Sequence, residues 1–280
     1  MRTEKEMLTL IVSIAEKDDR IRAVMMNGSR VNSNVINDRY QDYDIVYYVK
    51  DVESFTDDHS WVDVFGKQII MQMPEGMALF PSEWPGFSYL MLFTDGNRID
   101  LTLLGVEEIE KQLSFDSLSV ILLDKDNLLP KLPKPNDSDY VTKKPTEEEF
   151  VDCQNEFWWV ATNVAKGLKR NELPYAKSMM EGPVRQMLVL MLQWHIGIAH
   201  DFVINTGKDG KWLERYLEKS LWKRFVATYA GGDYTENWES LFEMCALFEE
   251  VTTFVGNKLG YQPSSENKKV QVYLGKVFNY

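Results

Sequence analysis

The chain has 280 residues, with 44% hydrophobic and 26% charged side chains, which excludes a disordered, collagen-like or coiled-coil chain. It holds no stretch of about 20 apolar residues of the kind a membrane-spanning helix needs, and its two cysteines, Cys153 and Cys245, are too few for a disulfide framework or a four-ligand zinc site. The net charge is −12, which disfavours a nucleic-acid partner and suits a cationic ligand or a divalent metal.

The early acids Glu4 and Glu6 precede the apolar run 8–15, so no secretory leader is expected and the location read from the sequence is cytoplasmic, with both thiols buried and reduced. Residues 4–17 put Met7, Leu8, Ile11, Ile14 and Ala15 on one helical face. Strand-like runs follow at 21–27, 43–50, 68–73, 87–94, 98–104 and 120–123, with helical turns at 30–34, 59–65 and 106–113. Asp95-Gly96-Asn97 is turn chemistry between two apolar runs and predicts a hairpin over 87–104.

Four of the ten prolines, Pro130, Pro133, Pro135 and Pro145, then fall in one polar stretch, 128–145. Proline fixes φ and lacks an amide hydrogen, so this segment reads as an extended connector. It divides an acidic first part (25 acids and 16 bases in residues 1–145) from a more balanced second part (18 acids and 15 bases in 146–280). Thr146 and Glu149 form a capping-box pattern ahead of an apolar period from Phe150 to Val164. A helix starting at Pro174 or Pro183 and running to about Phe202 is apolar nearly all round and is expected to be buried. Helices at 211–229 and 234–258 follow, and the tail 261–280 is ambiguous. The reading is α+β: a mixed-sheet domain over 1–135 and a helical bundle over 146–280.

The chemistry centres on Asn27-Gly28-Ser29-Arg30 and Gln41-Asp42-Tyr43-Asp44. Gly28 ends a strand and permits a tight turn whose amides and Ser29 hydroxyl suit phosphate oxygens. Asp42 and Asp44 are two apart, which in a strand places both carboxylates on one face, roughly 7 Å apart along the chain. That spacing suits hard divalent cations, although an Asp-x-Asp pair is also an ordinary solvated strand edge. In 98–104, Ile99, Leu101 and Leu103 alternate with Asp100 and Thr102. An acid in such a strand is costly unless paired or metal-bound; the structural alternative is a salt bridge to Arg98 or Arg30.

At these residues the chain resembles the nucleotidyltransferase superfold, and Asn27-Gly28-Ser29-Arg30-x-Asn32 with Asp42-Tyr43-Asp44-Ile45 resembles the aminoglycoside 6-adenylyltransferases that modify streptomycin. The likeness continues past the connector, through Leu173-Pro174-Tyr175-Ala176-Lys177, Met191-Leu192-x-Trp194-His195-Ile196 and Gly207-Lys208-x-Gly210-Lys211-Trp212-Leu213. It implies an ATP-dependent transfer of AMP to an aminoglycoside hydroxyl. Asp42, Asp44 and Asp100 would be the Mg²⁺ ligands, Asp100 alternatively the proton acceptor, and Gly28, Ser29 and Arg30 would contact the nucleotide. Lys208 and Lys211, placed around a helix start, would reach its β- and γ-phosphates, with Lys177 a further candidate; two solvated lysines are the plain alternative. Phosphate-binding candidates on both sides of the connector imply that both domains are needed for transfer.

A cationic acceptor calls for carboxylates and aromatic faces. Trp84 with Glu83 is one such cluster, and Asp152, Glu156 and Trp159 are another. His195 and His200 do not share a helix face and read as structural, His195 as a hydrogen-bonded core residue. The expected state is a monomer or weak homodimer, with no nucleic-acid or membrane partner. A different small-molecule acceptor, or a nucleotide-binding domain without turnover, are the competing readings.

Overall fold

A computed structural model describes residues 1–280 apart from Glu83, Gln112 and Leu113. The chain divides into two compact units, Met1–Asp139 and Tyr140–Tyr280.

The first unit is built on a six-stranded sheet of β1 (Ile21–Asn27), β2 (Tyr43–Val49), β3 (Gln68–Gln72), β4 (Phe87–Phe93), β5 (Arg98–Gly105) and β6 (Ser119–Asp124), in the order β3-β4-β5-β2-β1-β6. The β2–β5 pair is parallel and its neighbours are antiparallel. The predicted hairpin is β4–β5, and helical turns occupy Gly28–Val31, His59–Phe65 and Glu107–Lys111; residues 112–113 of the expected 106–113 turn lie outside the described residues.

Helix α1 (Glu4–Lys17) opens on a capping box between Thr3 and Glu6, which satisfies amides that the first turn leaves unpaired. It lays Met7, Ile11 and Ala15 against a core that includes Ile45, Tyr47, Met91, Ile99, Leu101 and Leu103. The Tyr47 hydroxyl, buried there, donates to the Ile11 carbonyl at 2.6 Å. Because side chains alternate along a strand, the other sheet face receives Val46, Tyr48 and Leu104, covered by Ile109. Asp44, Asp100 and Thr102 share that second face; among the described residues, the cluster on that face includes none that packs over the acids.

The second unit is helical. Its longer helices are α2 (Glu147–Lys169), α3 (Leu173–Met179), α4 (Arg185–Ala199), α5 (Lys219–Ala227), α6 (Tyr234–Leu259) and α7 (Asn267–Asn279), with a single turn at Leu213–Tyr216. Thr146 and Glu149 form the predicted capping box. The long helix expected from Pro174 or Pro183 is in two pieces. Pro183 sits in a π-helical turn, Met180–Val184, where Gly182 takes a non-helical conformation, because proline cannot donate into the ladder and crowds the preceding turn. The expected helix at 211–229 is also broken: Leu217 is extended and α5 begins only at Lys219. The ambiguous tail holds α7, which buries Leu274. No described helix is long and apolar enough to cross a membrane.

Candidate functional site

Strand β1 runs into the Gly28–Val31 turn with Gly28 at φ +79°. A β-carbon on Gly28 would overlap the Asp44 carboxylate, so glycine serves here both for its conformation and for the approach of an acid to the turn. The parallel register sets Asp44 opposite Asp100, and the antiparallel register on the other side sets Asn27 opposite Asp44. Asn27 in turn accepts a hydrogen bond from the Ser119 hydroxyl at 2.8 Å. Pairing of four strands thus lines up a polar row from residues far apart in sequence.

Asp42 lies one residue before β2 rather than within it. Arg30 holds it in place: its guanidinium donates to the Asp42 and Gln41 carbonyls at 3.0 and 2.6 Å and lies 3.7 Å over the Tyr43 ring. Gln41 closes the arrangement by donating to the Ser29 carbonyl at 3.1 Å. The Gly28 amide donates to the Leu118 carbonyl at 3.0 Å. Arg30 and Gly28, expected at the nucleotide, are therefore engaged in shaping the turn.

Burial and the adjacent Asp100 and Asp42 charges push the Asp44 carboxyl up to about 6. Asp42 is also raised, chiefly by burial, with Arg98 opposing. Like charges this close disfavour one another's ionisation. Arg98 meets Asp100 with a two-pronged fork, Nε to Oδ1 and Nη2 to Oδ2, both at 2.7 Å, and its Nη1 lies 3.5 Å from Asp42. The salt-bridge alternative for Asp100 is thus present, with Arg98 as its partner.

Among the described residues no three Asp, Glu, His or Cys side chains converge as a ready-made metal cage. The expected set of Asp42, Asp44 and Asp100 does not converge in this arrangement, and Asp100 is paired with Arg98 through both of its oxygens. A two-acid site remains. No described group hydrogen-bonds the Asp44 carboxylate, and the donors are hard oxygens. These features fit Mg²⁺, which commonly binds one or two carboxylates and completes its shell with water and substrate phosphate.

The helical unit contains a cavity of about 590 Å³ whose lining includes Asp152, Glu156, Trp194, Gln193, Thr206 and Lys208. Glu149 and Cys153 also reach it, since positions three and four apart share a helix face. Gln193 donates to the Thr206 hydroxyl at 2.8 Å in its wall. Burial pushes the Cys153 thiol up to about 12, which leaves it protonated and unreactive. Of the expected acceptor cluster, Asp152 and Glu156 line the cavity, while Trp159 is not among the lining residues and is 68% exposed. Trp84 is exposed; its expected partner Glu83 lies outside the described residues.

Lys208 and Lys211 are not at the start of a substantial helix. Lys208 belongs to a single 3₁₀ turn, Lys208–Gly210, in which Asp209 has φ +55°, and the helical stretch beyond is only Leu213–Tyr216. Lys211 lies 5.0 Å from the Trp212 ring. Lys177 is committed to Glu181 and the Ala230 carbonyl. His195 is not hydrogen-bonded as expected: its buried Nδ1 has no partner among the described residues, and its ring packs 4.5 Å from Phe254.

Sequence reasoning missed Gln193 and Thr206 as cavity residues and Arg30 as a brace. The helical period of α4 marks which residues face inward but not which other element they meet.

A family model described as streptomycin adenylyltransferase matches residues 1–277. The aminoglycoside 6-adenylyltransferase of Campylobacter jejuni is 45% identical over 274 residues, covering 98% of this chain and 95% of that one. The aminoglycoside 6-adenylyltransferase of Bacillus subtilis is 42% identical over 282 residues, covering 99% of both. A crystal structure of an aminoglycoside 6-adenyltransferase from Bacillus subtilis superposes with a TM-score of 0.50 at 38% identity, again covering 99% of both chains.

Proposed function

Because this chain belongs to the streptomycin adenylyltransferase family, we propose that it transfers AMP from ATP to a hydroxyl of an aminoglycoside, the 6-hydroxyl of streptomycin being the acceptor we assign. The observation that carries this reading is the Asp44 carboxylate seated against the Gly28 turn, with Asp42 and Asp100 beside it.

In the proposed reaction the acceptor hydroxyl oxygen forms a bond to the α-phosphorus, the bond to the pyrophosphate oxygen breaks, and the hydroxyl proton leaves. The protein's share is positioning and charge compensation. Asp42 and Asp44 would hold Mg²⁺, which when bound neutralises phosphate charge. Ser29, at the turn, offers a hydroxyl to the nucleotide, and Arg30 keeps the turn and Asp42 in place. Asp100 serves either as acceptor of the hydroxyl proton or as a third metal ligand. Lys208 and Lys211 supply positive charge for the β- and γ-phosphates.

The acceptor's cationic groups suit the cavity of the helical unit, whose lining includes Asp152, Glu156 and Trp194. Guanidinium and ammonium groups pair with carboxylates and pack on aromatic rings.

Incubation of the full chain with ATP, Mg²⁺ and streptomycin is expected to release pyrophosphate and to increase the antibiotic's mass by one AMP. Pyrophosphate release only with a different acceptor would redirect the substrate assignment. Nucleotide binding without any release would identify a non-catalytic member of the fold.

A further inference from the structure

Arg98 stands where the metal-site reading leaves least room for a positive charge. It spans two of the three acids, gripping Asp100 through both carboxylate oxygens and reaching Asp42 at 3.5 Å. A fork of this kind engages both carboxylate oxygens and sets a fixed positive charge beside them, which a cation approaching those oxygens must displace or oppose. Yet this is no core ion pair: the Arg98 side chain is 43% exposed, and water competes for both partners of a pair so placed. Arg98 also lines a shallow groove of about 410 Å³ with Ile70, Gln72, Leu90 and Leu92. This apolar floor can take the arginine stem when its head leaves the acids.

We propose that Arg98 is a built-in counter-ion of the carboxylate site, holding Asp42 and Asp100 until a divalent cation displaces it. The inference rests on the reading of Asp42 and Asp44 as the metal-binding acids. Without a cation, Arg98 offsets repulsion among Asp42, Asp44 and Asp100. When a divalent ion arrives, the same guanidinium repels it, so entry of the ion and release of the fork are coupled. Arg98 is a positioning residue in this account: it acts through the acids and sets how tightly they take metal.

The test is titration of the full chain with Mn²⁺, following free Mn²⁺ by electron paramagnetic resonance, for the wild type, Arg98→Met and Asp44→Asn. Arg98→Met is expected to bind Mn²⁺ at least fivefold more tightly than the wild type, and Asp44→Asn to lose the binding. Thermal unfolding supplies a second readout. Arg98→Met should melt below the wild type in chelator, and Mn²⁺ should close the gap; a purely structural ion pair would leave the gap in both conditions. If Arg98→Met does not fold, Arg98→Gln, which drops the charge but can still donate to Asp100, carries the same expectation.

Wild-type binding that Asp44→Asn abolishes but neutral Arg98 variants leave unchanged or weaken would overturn the displacement. Mn²⁺ binding indifferent to Asp44→Asn would instead remove the metal-site reading beneath it, and the displacement with it.

Discussion

Gly28 and Asp44 are packed so that a β-carbon on residue 28 would occupy the space of the Asp44 carboxylate. The glycine also has φ +79°, a conformation that is strained for other residues. Gly28→Ala is therefore expected to displace Asp44 and reduce AMP transfer at least ~100-fold, while costing about 1–2 kcal/mol of stability. Pyrophosphate-release rates beside chemical unfolding would show whether activity is lost well beyond stability; wild-type turnover would mean the turn and the acid are independent.

Asp42→Asn and Asp44→Asn should each reduce transfer by orders of magnitude without unfolding the chain. Asp44 is partly buried beside two other acids, so removing its charge relieves repulsion. The Asp44→Asn protein should melt at or above the wild-type temperature at pH 7. Near-normal turnover in Mg²⁺ by either variant would refute the metal assignment.

Asp100→Asn separates the two roles open to Asp100. Loss of a proton acceptor should slow single-turnover transfer at least ~100-fold while ATP affinity in Mg²⁺ stays within a few-fold. Loss of a metal ligand should weaken ATP binding as well. Calorimetry of ATP binding beside single-turnover rates distinguishes them, and normal values of both would leave Asp100 as only the partner of Arg98.

Asp152→Asn and Glu156→Gln change the charge of the helical cavity without changing its shape. Each is expected to raise KM for the aminoglycoside several-fold with little effect on KM for ATP, the pattern of a lost substrate contact. Unchanged KM for the acceptor in the double variant would move the acceptor elsewhere.

Arg2 ties the chain's start to the β4–β5 turn. Its backbone amide and Nε donate to Asp95 at 3.0 and 2.7 Å, and Asn97 returns a bond to the Arg2 carbonyl at 3.2 Å. The Arg2 guanidinium holds the Asp95 carboxyl well below the usual carboxylate range. A carboxyl lowered by folding stabilises the native chain above its unfolded pKa of about 4, and that contribution is lost as the pH falls further. Arg2→Ala should thus cost about 1 kcal/mol at pH 7, a value reduced for a partly exposed pair. The gap from the wild type should narrow below about pH 4. Denaturant unfolding at pH 7 and pH 3 tests this; a gap independent of pH would assign the loss to packing alone.

Local chemistry was legible wherever neighbours in sequence decide it. The Thr146–Glu149 capping box, the Asp95-Gly96-Asn97 turn and the alternation of Ile99, Leu101 and Leu103 with Asp100 are short-range patterns, and each appears as read. Gly28, Asp42, Asp44 and Asp100 stood out because a glycine turn and acids beside apolar strands are locally costly. The break at Pro183 was harder to place, since whether proline starts a helix or sits in a π turn depends on what Gly182 and the neighbouring helices absorb.

Sequence by itself determined the strand-forming runs, the Thr146–Glu149 cap and the alternation that sets Asp100 on the opposite face to Ile99, Leu101 and Leu103, because period and propensity act over a few residues. Only the tertiary structure decided that β2 and β5 pair in parallel with Asp44 opposite Asp100, since register depends on burying the whole Ile45, Tyr47, Leu101 and Leu103 face beneath α1. It alone decided that Arg98, beside Asp100 on β5, also reaches Asp42 across the strand pair, and that Asp152 and Glu156 share a cavity with Trp194 and Thr206. Those contacts join elements whose separation along the chain carries no periodic signal; packing brings them together.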